Sequence, residues 1–310
     1  MTTVDEAAMS RVVSRDGTKI GYWTTGQGPP LVLVHGALGD HTRWAPLRPH
    51  FEPSFTVHAM DRRGRGASGD APDYEPTREV DDVVAVVEAV AETSGSRVDV
   101  YGSSSGGLFA LAAAARTSSV RRLVLFEAPV GAGPELKPPR LQEELDALLA
   151  AGDHDGVLVA TYRRLVGLSD AEIDHLRGQP NWPNRVALAH TVPRELRSAP
   201  RDLFDPADAA SIEVPTLMLV ADGSPELFQV CAQHLVEAMP DARTVVLDGQ
   251  GHGAEMFAPE AIAEQVLAFL HDEAVAPSLV RHPPAAPAHH DADEDPVASS
   301  GSPGRAITRT

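Results

Sequence analysis

Residues 98–116 read VDVYGSSSGGLFALAAAAR. VDVYG carries apolar, β-prone residues and predicts a buried strand, while the alanine-rich LFALAAAAR predicts a helix. Between them, Ser103, Ser104 and Ser105 lie between Gly102 and the pair Gly106-Gly107. A strand that turns straight into a helix leaves one residue at a strained apex. It demands small residues two positions before and after that apex, where a larger side chain clashes. Gly102-Ser103-Ser104-Ser105-Gly106 meets this demand with Ser104 at the apex. The register one residue later makes Ser105 the apex, but a serine then replaces the preferred first glycine. Ser104 is therefore the candidate nucleophile and Ser105 the weaker one. The N–H of Ser105, in the first helical turn, has no intrahelical partner and can hold a developing oxyanion, helped by the helix dipole. A glycine–serine turn without chemistry has the same five-residue signature. The strand before it and the helix after it give the motif its weight.

Outward from this stretch, strands and helices alternate. RVVS and KIGYWTT predict an antiparallel opening. PPLVLVHG, FTVHAMD, VRRLVLFEAP, VPTLMLVA and RTVVLDG predict short buried strands. Residues 76–94 predict a helix with Val80, Val83, Val84, Val87 and Val90 in one stripe, and further helices are expected at 225–239 and about 259–273. Continuous apolar strands between helices imply a parallel sheet covered on both faces. Residues 134–211 break the alternation with helical patterns only, which reads as a helical cap inserted between two strands. The core is then 11–133 with 212–275. Residues 276–310, rich in Pro, Ala, Ser and Asp and without aromatics, are read as a disordered tail.

Composition narrows the function. The chain has 310 residues and a formal net charge of −18, with no basic stripe, so nucleic acid is not an expected partner and neither is a membrane. The acidic N-terminus lacks an apolar signal region, and the single Cys231 cannot form an intrachain disulfide, so a cytoplasmic location is expected. No metal-ligand spacing is visible and no cofactor is expected. GRGASG at 64–69 is a literal G-x-G-x-x-G, but DAPDYEP follows it and delays the helix that would have to meet phosphates, so nucleotide binding is not expected. Arg62, Arg63 and Arg65 beside it are read as solvent-facing or paired with acids such as Asp61.

His252, between Gly251 and Gly253, follows a late predicted strand and lies at the sheet edge where Ser104 is expected. Its place in the chain suits the general base of a serine site. Leu38 and Trp44 line a pocket or belong to the core; Tyr162, Trp182 and His190 face the pocket or pack within the cap.

Four motifs together resemble the α/β-hydrolase fold family, in its small capped, serine-esterase-like branch. LVLVHGALGDHTRW is similar to the family's oxyanion loop, and MDRRGRGASG to its D-x-x-G-x-G-x-S segment. YGSSSGG resembles the nucleophile elbow, and DGQGHGAEMFAPE the loop that delivers the catalytic histidine. The resemblance covers nearly all of residues 11–273 and implies a mostly parallel, doubly wound α/β sheet of about eight strands, with the cap between strands six and seven. It also implies that the N–H of Ala37 is the second oxyanion donor, with His35 ordering the loop and its ring outside the chemistry.

The resemblance leaves the third catalytic residue open. The family usually carries its acid after the strand VPTLMLVA, at a position that here is Ser224. Asp222 lies two residues earlier, and Glu226 opens the next helix, where it serves the helix dipole. Glu127 closes the strand RRLVLFE, where the dehalogenase branch places its acid. A glutamate leaving an apolar strand needs a partner, because an unpaired buried charge is costly. Glu127 is the first choice and Asp222 the alternative; Glu226, or no acid, is third. Pairing of Glu127 with Arg62 or with cap backbone is the reading without chemistry.

The expected function is hydrolysis of a small or medium ester, thioester or lactone through an acyl-enzyme. Alternatives on the same site are C–C hydrolysis, perhydrolysis, or a cyclase or lyase step in natural-product biosynthesis. A further alternative is a non-catalytic ligand receptor. The expected partner is a small-molecule substrate; the sequence does not fix the oligomeric state.

Overall fold

The structure, a computed structural model, describes residues 7–131, 138–198, 203–204 and 206–272. The tail call at 276–310 and the junction at 133/134 lie outside the described residues.

Eight strands form one sheet: β1 (Ala8–Val13), β2 (Lys19–Gly26), β3 (Pro30–Val34), β4 (Thr56–Met60), β5 (Val98–Ser103), β6 (Val120–Phe126), β7 (Thr216–Ala221) and β8 (Ala242–Leu247). Their spatial order is β1-β2-β4-β3-β5-β6-β7-β8. β1 and β2 pair antiparallel, as do β2 and β4; every later pairing is parallel. The eight-stranded, mostly parallel architecture matches the expectation.

The helices are α1 (Arg48–Phe51), α2 (Pro76–Ser94), α3 (Ser105–Ala114), α4 (Leu141–Ala150), α5 (His154–Thr161), α6 (Asp170–Arg177), α7 (Trp182–Ala187), α8 (Thr191–Arg197), α9 (Glu226–Ala238), α10 (Ala254–Phe257) and α11 (Pro259–Leu270). Strand periodicity divides the core. Val32, Val34, Val100, Leu123, Leu125, Met218 and Val220 point to a cluster closed by α2, α3 and α9. Their chain neighbours Leu31, Leu33, Tyr101, Val124, Phe126, Leu217 and Leu219 point to the opposite cluster, closed by α1 and α11. Side chains alternate across a strand, so covering both faces makes each central strand apolar throughout.

α2 begins on Pro76, whose missing N–H costs nothing at that position, and ends at Gly95 with φ +68°. Its buried stripe is Val80, Val83, Val86, Val87 and Val90, with Val84 only half-buried. The expected stripe had Val84 in the place of Val86; both lie near the edge of the face, and the fold buries Val86 and leaves Val84 packed at the rim of the cluster.

Between β6 and β7 the described residues are helical or irregular. α4 to α8 bury Leu141, Leu145, Val157, Leu158, Ile173 and Val192 in a third cluster, which also takes in Leu38. The parallel strands all run the same way, so the segments that leave β3, β5, β6, β7 and β8 gather at one edge of the sheet. Ligands bind at that edge in open α/β sheets.

Candidate active site

Ser104 caps α3 with φ +50° and ψ −124°, a conformation that L-residues adopt at a cost. Its surroundings hold it there. Its N–H donates to Phe126 O at 2.8 Å, and its carbonyl accepts from Gly107 N at 2.8 Å. The glycines are demanded by contact. A Cβ on Gly102 would lie 2.6 Å from Gly107 Cα, and one on Gly106 would lie 2.3 Å from Val34 O. These clashes fix the register with Ser104, not Ser105, at the apex. Ser105 is the first residue of α3, and its Oγ is 3.3 Å from Arg62 Nη1.

Gly36 runs against this turn: a Cβ there would be 3.1 Å from Ser104 Cβ. Ala37 follows it, and Leu38 adopts φ +63°. His35 orders the loop from within. It is wholly buried, its Nδ1 bonds Gly36 O at 2.8 Å, and its Nε2 accepts from Arg62 N at 3.2 Å. Burial, then the charges of Arg62 and Arg65, push its pKa well below the ordinary histidine value. The ring is a neutral strut.

Glu127 leaves β6 with φ +46° and its side chain is fully buried. Oε1 accepts from Ala221 N at 2.9 Å. Oε2 accepts from Ser224 Oγ at 3.0 Å and from Nδ1 of His252. Glu127 contacts neither Arg62 nor the cap backbone through these bonds. The ring of His252 stacks on Phe228 at 4.8 Å and on Phe126 at 5.9 Å between centroids. With Nδ1 committed to Glu127, Nε2 remains for a substrate or a hydroxyl.

Asp222, the alternative acid, is used elsewhere. Its Oδ1 accepts from Gly249 N at 2.7 Å and ties the β7 loop to the turn after β8. Glu226 is exposed in the first turn of α9. The structure thus brings Glu127 and His252 together and leaves Asp222 and Glu226 outside that contact.

Sequence reasoning missed two charged networks. Glu255, three residues after His252, is buried. It accepts from Tyr101 Oη at 2.6 Å, Ser103 Oγ at 2.6 Å and Arg43 Nη2 at 2.5 Å. It therefore joins the histidine loop to the residue before Ser104 and to the turn after the Ala37 loop. The second network shows Arg62, Arg63 and Arg65 paired with acids, one of the two expected readings, though with partners other than Asp61. All three are buried, and none pairs with Asp61. Arg62 bonds Glu79 at 2.8 and 3.0 Å, and Arg63 grips Asp82 through two bonds of 2.7 Å. Glu195 of α8 reaches Arg62 at 3.1 Å and Arg65 at 2.5 Å. Asp61 instead accepts from His41, Trp23 and Ala67 N, and a Cβ on Gly66 would lie 2.3 Å from its carboxylate. The glycine-rich loop thus folds around an internal carboxylate.

Trp44 belongs to the core and packs edge-on against Tyr101. Tyr162 is buried and stacks on Trp182 at 6.1 Å; its hydroxyl accepts from Arg185. His190 is exposed, its ring bonded to Ala187 O. Among the described residues, no group of three or more His, Cys, Asp or Glu could hold a metal ion, and no helix is long and apolar enough to cross a membrane.

Residues 31–265 match the model of the alpha/beta hydrolase family. The chain is an α/β-hydrolase. An alpha/beta hydrolase from Sphaerobacter thermophilus is 38% identical, covers 84% of this α/β-hydrolase and 100% of itself, and superposes with a TM-score of 0.71. The pimeloyl-[acyl-carrier protein] methyl ester esterase of Xanthomonas campestris is 29% identical over 257 residues, 79% of this chain and 96% of that protein. The enzyme of the same name from Stenotrophomonas maltophilia is 41% identical over 104 residues, which span 38% of its length. The chain is a hydrolase enzyme of this family, with esterases among its relatives.

Proposed function

We propose that the protein is a serine hydrolase cleaving small or medium carboxylic esters, thioesters or lactones through an acyl-enzyme. One observation carries the reading: His252 Nδ1 is bonded to the buried carboxylate of Glu127. That bond sets the tautomer and leaves Nε2 as the base for Ser104. In the proposed reaction, Ser104 Oγ bonds the carbonyl carbon while its proton passes to His252 Nε2. The oxyanion is held by the N–H groups of Ala37 and Ser105. Collapse breaks the bond to the leaving alcohol or thiol, which takes the proton from Nε2. Water then gives its proton to His252 and attacks the acyl carbon; the acid departs and Ser104 recovers its proton.

The names of the methyl ester esterases support carboxylic esters as the class. The single Cys231, which cannot form an intrachain disulfide, supports a cytoplasmic setting. The helical segment between β6 and β7 serves in this reading as the cap that selects the acyl group.

A fluorophosphonate probe followed by peptide mass mapping tests the proposal. The expected result is one adduct on Ser104, absent in Ser104→Ala, together with turnover of short p-nitrophenyl esters. No adduct and no turnover would leave a ligand receptor on the same fold.

A further inference from the structure

A cleft of ≈ 340 Å³ lies between the turn after the Ala37 loop and the helices α6 and α7. Thr42 and Arg43 form one side, with His175, Gln179, Asn181 and Arg185 opposite. Its size suits a small ligand. Its charge runs against that of the molecule. The chain carries a net charge of −18, yet no Asp or Glu stands among the residues around this cleft; of its two arginines, Arg43 is paired with Glu255 behind the lining, which leaves Arg185.

Arg185 is the unusual member. Its side chain is 7% exposed, and buried guanidinium groups ordinarily face a carboxylate. Among the described residues, no carboxylate lies within ion-pair distance of it. Its Nη1 donates to Tyr162 Oη at 2.6 Å and to Met256 Sδ at 3.6 Å, both uncharged. Two residues around the cleft each bury a polar atom with no hydrogen-bond partner among the described residues: Nε of Arg43 and Oδ1 of Asn181. Glu255 does not fill the gap, because it is already bonded by Arg43, Tyr101 and Ser103.

We infer that this cleft binds a small carboxylate, held by the guanidinium of Arg185. A guanidinium presents a planar fork of N–H groups that suits a carboxylate. The site borders the reaction centre on two paths. Met256 lies four residues after His252, and Arg43 reaches Ser103 through Glu255. The carboxylate belongs either to a substrate or product or to a separate ligand, and kinetics separates the two.

The test is calorimetric titration of the full chain with 3-hydroxybutyrate, with 1,3-butanediol as the uncharged analogue and sodium chloride as the ionic control. Saturable binding of the hydroxy acid, about millimolar or tighter, is expected, with none of the diol or the salt. Arg185→Gln should weaken it at least about tenfold. Asn181→Asp, which sets a negative charge at a partly exposed position, should weaken it similarly. Arg163→Gln, at an exposed cap arginine paired with Asp170, should leave it unchanged. If Arg185→Gln does not fold, Asn181→Asp decides. Absence of saturable binding, equal affinity for the diol, or undiminished binding by folded Arg185→Gln or by Asn181→Asp would overturn the site. Binding is read without turnover, so it stands or falls apart from the serine mechanism. With a p-nitrophenyl ester as substrate, a raised KM at constant kcat marks the carboxylate as part of a substrate or product. A changed kcat at constant KM marks a separate ligand. Either pattern, lost in Asn181→Asp, supports the site.

Discussion

Ser224 donates its hydroxyl to Oε2 of Glu127, the same oxygen that receives Nδ1 of His252. Ser224 stands where the family's usual pattern places the acid. In this chain the carboxylate that bonds His252 comes from the neighbouring strand, and Ser224 braces it. Ser224→Ala removes one hydrogen bond to a buried charge, a change of about 1–2 kcal/mol, and is expected to lower kcat about 5- to 30-fold. Steady-state ester kinetics check this, and circular dichroism confirms an intact fold. Ser224→Asp should do more harm, because it sets a second carboxylate against Glu127.

Ser104→Ala is expected to abolish ester turnover. Ser105→Ala should keep most of it, because the contribution assigned to Ser105 is its backbone N–H. The variant also loses the 3.3 Å contact with Arg62, so a small decrease is expected. Initial rates on one p-nitrophenyl ester compare the two. Equal loss in both would contradict the register that Gly102 and Gly106 impose.

Glu195 anchors α8 to the sheet edge through Arg62 and Arg65. Glu195→Gln leaves both guanidinium groups with Glu79 as their shared carboxylate. Removing one partner from a buried ion pair is expected to cost about 3–5 kcal/mol, read from urea unfolding. A loss within 0.5 kcal/mol, the scale of a surface change, would show that Glu195 does not secure the helix (~0.5 kcal/mol).

Stability should fall on acidification in two stages. His35 has a folded-state pKa well below its ordinary value, so the unfolded chain binds the extra proton. Its contribution is complete above about pH 6.5 and declines below that at up to about 1.4 kcal/mol per pH unit. The carboxyl of Glu195 is lowered to about 2, by Arg62 and then Arg65 acting against its burial. Its contribution is present above the ordinary glutamate range and is lost as pH falls from there towards 2. In the window of the first stage His58, held at about 4 by its burial, adds to this loss, and Asp82, raised to about 6 by its burial, opposes it. Urea midpoints of the parent and of His35→Gln between pH 8 and 5 therefore check the first stage; an unchanged pH dependence in a folded His35→Gln would contradict the buried neutral His35.

What the sequence revealed depended on whether a feature was local. The strand–serine–helix turn was legible because sterics act within five residues. The contact of Glu127 with His252 was legible because a charge ending an apolar strand needs a partner. For Arg62, Arg63 and Arg65 the pairing with acids was legible, but not the burial or the partners, because arginines beside glycines look like a surface loop. Their partners Glu79, Asp82 and Glu195 lie 14 to 133 residues away along the chain. Glu255 was hidden in the same manner: it resembles an ordinary acid in a first helical turn, and only the folded chain shows Arg43, Tyr101 and Ser103 converging on it. Val86 displaced Val84 because two valines near the edge of one helical face differ only in what packs against them.

The most direct measurement compares kcat for ester hydrolysis in Glu127→Gln and Asp222→Asn. Glutamine cannot stabilise the imidazolium that forms on His252, so Glu127→Gln is expected to lower kcat by about 10²- to 10⁴-fold. Asp222→Asn weakens only the tie to Gly249 and should remain within about threefold of the parent, with a stability loss of about 1–2 kcal/mol. Near-parental activity in Glu127→Gln, with collapse in Asp222→Asn, would contradict the assignment of Glu127 as the acid that serves His252.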